Sequence, residues 1–181
     1  LRQLQDGDAD EQILAARALA NANDRRAIPP LMAHVATGPD RVRIAAAQAL
    51  GRLRAREAIG VLGETLARAE APYVRAAAGE ALGMIGDPQA IPALLAGLDD
   101  SHPIVVRDVV DALAAMGPPA VEWLGEILAG ENLPARRAAL RALRKIDAPE
   151  ARAMVNEARQ RQEPAGPAEP GAMDEQEKET P

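Results

Sequence analysis

The sequence predicts an all-α protein, a right-handed α-solenoid of about five stacked antiparallel helix pairs. Three observations predict it. The dipeptide Ala-Leu returns at Ala18-Leu19, Ala49-Leu50, Ala81-Leu82, Ala112-Leu113 and Ala142-Leu143, at steps of 31, 32, 31 and 30 residues. A second motif follows in register: AIPPLM from Ala27, AIGVLG from Ala58, AIPALL from Ala90 and AVEWLG from Ala120. The composition is 48% hydrophobic with 1% aromatics and no Phe, so the core is built from Ala, Leu, Ile and Val. Small side chains suit helices that stack closely. A period near thirty residues that holds two helical stretches marks a repeat array.

The first helix of each unit carries the Ala-Leu motif. VRIAAAQALGRL begins at Val42, VRAAAGEALGMIG at Val74, VVRDVVDALAAMG at Val105 and ARRAALRALRKID at Ala135. Val74, Ala77, Ala78, Ala81, Leu82 and Ile85 fall at helical spacing. In the second helix Ile91, Leu94, Leu95 and Leu98 form one stripe. Gly86 is placed to end a first helix, Asp87 to cap the next element, and Pro88 to occupy its first position. Gly117-Pro118-Pro119 and Asp147-Ala148-Pro149 punctuate later units in the same way. Short connections make the helices antiparallel neighbours. A lone pair cannot bury its apolar face, and stacking successive pairs does.

The ends differ from the body. Leu4 precedes Leu19 by 15 residues, the same offset as Leu98 to Leu113 and Leu128 to Leu143. Residues 1–8 are therefore expected to be the end of a truncated preceding repeat, 9–161 the solenoid of ten helices without a strand, and the chain a part of a longer one. Residues 162–181 are rich in Pro, Gly and Glu and are expected to form a disordered acidic tail. Of the formal net charge of −6, the segment from Glu163 onward holds −5, with six acids and one base.

Composition excludes several classes. With no Cys there is no disulfide framework, thiolate metal site or thiol nucleophile. A near-neutral body with only Tyr73 and Trp123 as aromatics offers no basic stripe for nucleic acid. No apolar run reaches the length of a membrane span and no signal peptide opens the chain, so no membrane insertion and a cytoplasmic location are expected.

The unit VRAAAGEALGMIGDPQAIPALLAGLDD, from Val74 to Asp100, resembles a HEAT repeat of the bacterial type, also called the phycobilisome-lyase HEAT-like repeat. The resemblance covers about residues 9–161 and implies a scaffold that binds other proteins. One enzyme branch of that family, the deoxyhypusine hydroxylases, carries His-Glu pairs on its first helices. The matching positions here are Ala76-Ala77, Ile44-Ala45, Ile13-Leu14, Arg107-Asp108 and Arg137-Ala138, and no pair survives. No metal or other cofactor is expected. The resemblance also implies that Arg43, Arg75 and Arg136 pair with acids from the preceding loop, with Asp40, Asp99 and Asp100 as local candidates. His34 is expected to pack half-buried on a second helix, His102 to lie exposed in a loop, and Tyr73 to pack against one.

The binding face follows from helical geometry. With Ile28, Ile59, Ile91 and Val121 inward, positions two and five later point away from the core at about 100° per residue. These are Pro30 and Ala33, Val61 and Glu64, Ala93 and Ala96, Trp123 and Glu126. In this architecture the second helices line the concave surface. Trp123 stands in a row of small residues, either as an interface anchor or packed between repeats. The expected function is a non-catalytic scaffold that binds a protein or peptide on this concave strip, through Trp123, Val61, Glu64, Ala93, Ala96, Glu126 and Pro30. The alternative is an accessory subunit of a bilin (phycobilisome) lyase-type complex.

Overall fold

A computed structural model describes residues 1–160. The described residues form eleven α-helices joined by short 3-10 turns, with no strand among them. They are α1 Arg2–Asp6, α2 Ala9–Asn21, α3 Ile28–Thr37, α4 Asp40–Arg52, α5 Ile59–Arg68, α6 Pro72–Ile85, α7 Ile91–Ala96, α8 Pro103–Met116, α9 Val121–Ala129, α10 Leu133–Lys145 and α11 Pro149–Gln160. The ten helices expected from residue 9 onward are α2 to α11. The expected disordered tail lies outside the described residues.

Two layers result. The first helices α2, α4, α6, α8 and α10 stack on one another in order. The second helices α3, α5, α7, α9 and α11 do the same, and α1 joins this layer beside α3. Leu4 is fully buried there. One refinement concerns the unit. Three second helices pack most extensively on the first helix that follows: α3 on α4, α5 on α6 and α9 on α10. The connection there is only a few residues long, as at Gly38-Pro39. The link from a first to its second helix instead runs through a 3-10 turn, such as Pro88–Ala90.

Local sequence explains the boundaries. Asp8 caps α2 through the N–H groups of Asp10 and Glu11, and Glu11 reaches back to the Asp8 N–H at 3.1 Å, a capping box. Asp24 and Asp87 each open a 3-10 turn, accepting from Arg26 N and Gln89 N. Hydrogen bonding to Arg26 holds the Asp24 carboxyl down to about 2. Gly86 ends α6 with φ of 70°, a left-handed conformation that glycine adopts without a Cβ clash. The AIP motifs divide in a way that periodicity alone does not give. Ala27, Ala58, Ala90 and Ala120 close the 3-10 turns, and the α-helices start one residue later.

The main core is one continuous cluster from Leu4 to Ala151, and Ile13, Val42 and Ala45 form a second, small one. Its wide face is made of alanine, so the first helices approach closely. A Cβ on Gly83 would lie 2.6 Å from Ala112 Cβ, and one on Gly51 3.0 Å from Ala81 Cα. These two glycines set the spacing of α6 against α8 and of α4 against α6.

Candidate functional site

The strip expected on the second helices is a surface strip. Ala33, Glu64, Ala96, Trp123 and Glu126 are exposed, and Pro30, Val61 and Ala93 are half-buried. Val121 and Leu124 point inward on α9, at 5% and 0% exposure, while Trp123 between them is 42% exposed. The five-residue offset gives exposed positions, whereas the two-residue offset gives half-buried ones, with Val61 and Ala93 packed partly against the core, except at Trp123. Ala93 also has a structural role, since a Cβ on Gly63 would stand 3.1 Å from its own Cβ. Glu64 pairs with Arg68 at 3.5 Å. Val61 and Glu64 belong to a hollow of about 460 Å³ with Asp40, Arg43, Thr65 and Arg68. Trp123 and Glu126 lie further along the stack, on α9.

A larger hollow, about 510 Å³, opens where α9, α10 and α11 meet. Gly125, Leu128 and Ala129 form one wall, Leu133 and Leu140 a second, Met154 and Ala158 the third. Glu122, Glu157, Arg136 and Arg137 also border it. Leu133 is 58% exposed, the largest apolar exposure on α10. Sequence reasoning passed over this site. The signal was present in LPARRAALRALRK, a helix with five cations and no acid, which helical spacing alone reads as one more repeat.

The arginine ladder is realised in part and differs in its direction. Arg75 donates from Nε to Asp100 Oδ2 at 2.7 Å, from Nη2 to Oδ1 at 3.0 Å, and from Nη1 to the carbonyls of Ala69 and Glu70. Its carboxylate comes from the loop after α7 and not from the loop before α6. That gives the guanidinium two carbonyls on one side and a fixed acid on the other. Burial raises the Asp100 pKa, but hydrogen bonds from Arg75 and from the His102 N–H outweigh it and leave it below the usual carboxylate value. Arg43 bonds mainly to the Val35 carbonyl at 2.9 Å, with Asp40 at 4.0 Å. Arg136 makes no ion pair with Glu131, the acid of the loop before it, and the Asn132 amide beside it is engaged with Asp99 and with capping Ala135.

The histidines have structural partners. His34 is half-buried as expected, with Nε2 2.6 Å from the Leu4 carbonyl at the end of α1. His102 departs from the expected exposed loop. It is half-buried and caps α8, with Nδ1 accepting from Ile104 N at 3.3 Å. Tyr73, 60% exposed, stands 6.0 Å from its ring. Among the described residues no group of three or more His, Cys, Asp or Glu side chains is placed to hold a metal ion. No helix among them is long and apolar enough to cross a membrane.

Comparison with known proteins agrees with this geometry. The family pattern described as HEAT repeats matches residues 1–68, 34–114, 61–144 and 93–165. An uncharacterized phycocyanin operon protein Y of Pseudanabaena tenuis is 33% identical over 149 residues, covering 78% of this chain and 35% of the relative. The phycocyanobilin lyase subunit alpha of a Picosynechococcus species is 36% identical over 145 residues, covering 68% of this chain and 53% of the relative. The chain thus spans from about a third to about half the length of these curated relatives. Among solved structures, the complex of CpcE and CpcF of phycocyanin lyase from a Nostoc species gives a TM-score of 0.60 at 28% identity, over 80% of this chain and 62% of that one. A designed armadillo repeat protein gives 0.58 at 19% identity, over 87% and 85%, a likeness of fold alone.

Proposed function

The chain belongs to the HEAT-repeat family, and from that premise we propose that it acts as an accessory, protein-binding subunit of a bilin-lyase-type complex. The observation that carries this reading is the double likeness to lyase subunits, at 36% identity in sequence and at a TM-score of 0.60 with 28% identity in structure. It favours the lyase-type reading over a scaffold of unspecified partner. Both share one mechanism. A rigid stack presents fixed side chains, and binding comes from shape and a few anchors.

On this reading the partner is a second helical-repeat subunit, and contact is made through the outward strip of the second helices. Trp123 is the anchor, with Glu122 and Glu126 flanking it. Pro30, Val61 and Ala93 leave low ground elsewhere on the strip, with Ala96 and Glu64 beside them. An apolar pocket rimmed by Lys or Arg on the partner complements this arrangement. The role assigned to the chain is holding, with the chemical step left to the assembled complex.

The test has two arms. The parent protein is purified from its own cells with whatever subunit stays bound, and the complex is mixed with a bilin. Co-purification of a helical-repeat partner and a shifted visible absorption band support the reading. A partner without any bilin-dependent band leaves a protein-binding scaffold and removes the lyase assignment.

A further inference from the structure

Helix α10 is electrostatically unlike the rest of the body. It holds Arg136, Arg137, Arg141, Arg144 and Lys145 and no acid, whereas the rest of residues 1–160 holds 21 acids against 14 bases. Cations elsewhere are mostly paired, as in Arg25–Glu57, Arg56–Asp87 and Arg75–Asp100. On α10 only Lys145 is paired, with Asp111; Arg136, Arg137, Arg141 and Arg144 have no ion-pair partner among the described residues. Four like charges on one helix repel, so the face favours an anionic occupant. Beside the first two lies the hollow floored by Leu128, Leu133, Leu140 and Met154, rimmed by Arg136 and Arg137 on the α10 side and by Glu122 and Glu157 on the α9 and α11 sides. A fitting occupant is therefore acidic and carries one apolar side chain.

The chain contains such a segment. Residues 163–179 hold Glu163, Glu169, Asp174, Glu175, Glu177 and Glu179 against Lys178, and Met173 directly precedes Asp174-Glu175. The place where this segment leaves the body also fits. Helix α11 returns antiparallel to α10, so its end at Gln160 comes beside the start of α10, and Ala158 and Leu133 border the same hollow. Met173 lies thirteen steps along the chain from Gln160, a reach of at most roughly 45 Å, ample for a return. Tethering makes the encounter intramolecular, at an effective concentration on the order of millimolar.

We propose that residues 163–179 dock in cis on the basic face of α10, with Met173 in the hollow and Asp174 and Glu175 on Arg136 and Arg137. The segment neutralises the charge that α10 leaves unpaired. An acidic partner then reaches this face only by displacing it.

The chain of residues 1–181 tests this directly. It contains no Cys, so Ala168→Cys gives one site for a nitroxide label. Docking predicts strong relaxation broadening of the Arg136, Arg137 and Arg141 amides, lost in about 1 M salt as the ion pairs are screened. The tail variant Met173→Ser/Asp174→Asn/Glu175→Gln leaves the body's sequence unaltered and should reduce that broadening several-fold. Equal broadening in the variant, or none that salt removes, overturns the proposal. A free peptide of residues 163–181 provides the other arm. It should shift the α10 amides at a concentration at least tenfold lower in the variant than in the parent chain. Equal shifts in both overturn cis docking and leave the face open to an acidic segment of another protein.

Discussion

Arg75 and Asp100 form a two-point ion pair, Nε to Oδ2 at 2.7 Å and Nη2 to Oδ1 at 3.0 Å, across 25 residues of sequence. Their side chains are only 14% and 11% exposed. The pair ties the start of α6 to the loop that leaves α7, and the same guanidinium holds the Ala69 and Glu70 carbonyls. One side chain thus joins α6 to two loops, the one before it and the one after α7.

Removing it should be costly. Arg75→Ala leaves a carboxylate and two carbonyls without their donor, and breaking a buried pair costs roughly 3 kcal/mol. The pH dependence follows from the lowered Asp100 pKa. A carboxyl whose folded pKa is depressed adds stability that is present above its unfolded value of about 3.9 and is lost as pH falls through the folded value. The difference between wild type and Arg75→Ala in chemical unfolding should therefore be full at pH 7 and shrink below about pH 4. A difference that does not change with pH contradicts this.

Two glycine substitutions should give opposite signs. At Gly83 a Cβ meets Ala112 Cβ at 2.6 Å and Ala112 Cα at 2.8 Å, so Gly83→Ala forces α6 from α8 and should cost roughly 1–3 kcal/mol. At Gly60 nothing lies within 4 Å of the added atom, and the site is in the first turn of α5. Gly60→Ala should stabilise by up to about 1 kcal/mol through helix propensity. Thermal melts of the two variants under one condition decide it.

Trp123→Ala separates binding from packing. The residue is 42% exposed, so truncation should cost well under the roughly 3–5 kcal/mol of a fully buried aromatic. As an anchor it should weaken partner binding by roughly 2 kcal/mol or more. Melting and titration of this one variant are sufficient. A lowered melting temperature with unchanged affinity removes the anchor role.

The capping box at the start of α2 gives a local prediction. Asp8 Oδ1 accepts from Glu11 N at 2.9 Å and Asp10 N at 3.0 Å. Asp8→Ala should cost about 1 kcal/mol, while Asp8→Ser should cost much less. Faster amide exchange at Asp10 and Glu11 in the alanine variant would report the lost cap.

The repeat was legible because its period is written in residue types that must be buried. Ala-Leu pairs such as Ala81-Leu82 and Ala142-Leu143 are all but sealed from solvent. The same arithmetic gave the exposure of Trp123, since Val121 and Leu124 fix where it points, but not that of Val61 and Ala93, which pack partly against the core. Two other features were not legible. The partner of Arg75 lies one loop later than family resemblance implies, because the choice between acids depends on backbone geometry that spacing does not encode. The hollow beside α10 requires Leu128, Leu133, Leu140 and Met154 from three helices to leave a gap, and each reads as an ordinary stripe residue alone.

Helices of this stack touch only those close to them along the chain. Such a molecule zips. Assembly needs no closure of long loops, so nucleation can begin at any adjacent pair and spread in either direction, on the fast side for a domain of this size. Opening runs the same way in reverse, from the ends inward. Amide protection should crest near α6, which has a neighbour on each side, and fall toward α1 and α11. An occupant bridging several second helices would stiffen this gradient by coupling openings that are otherwise independent.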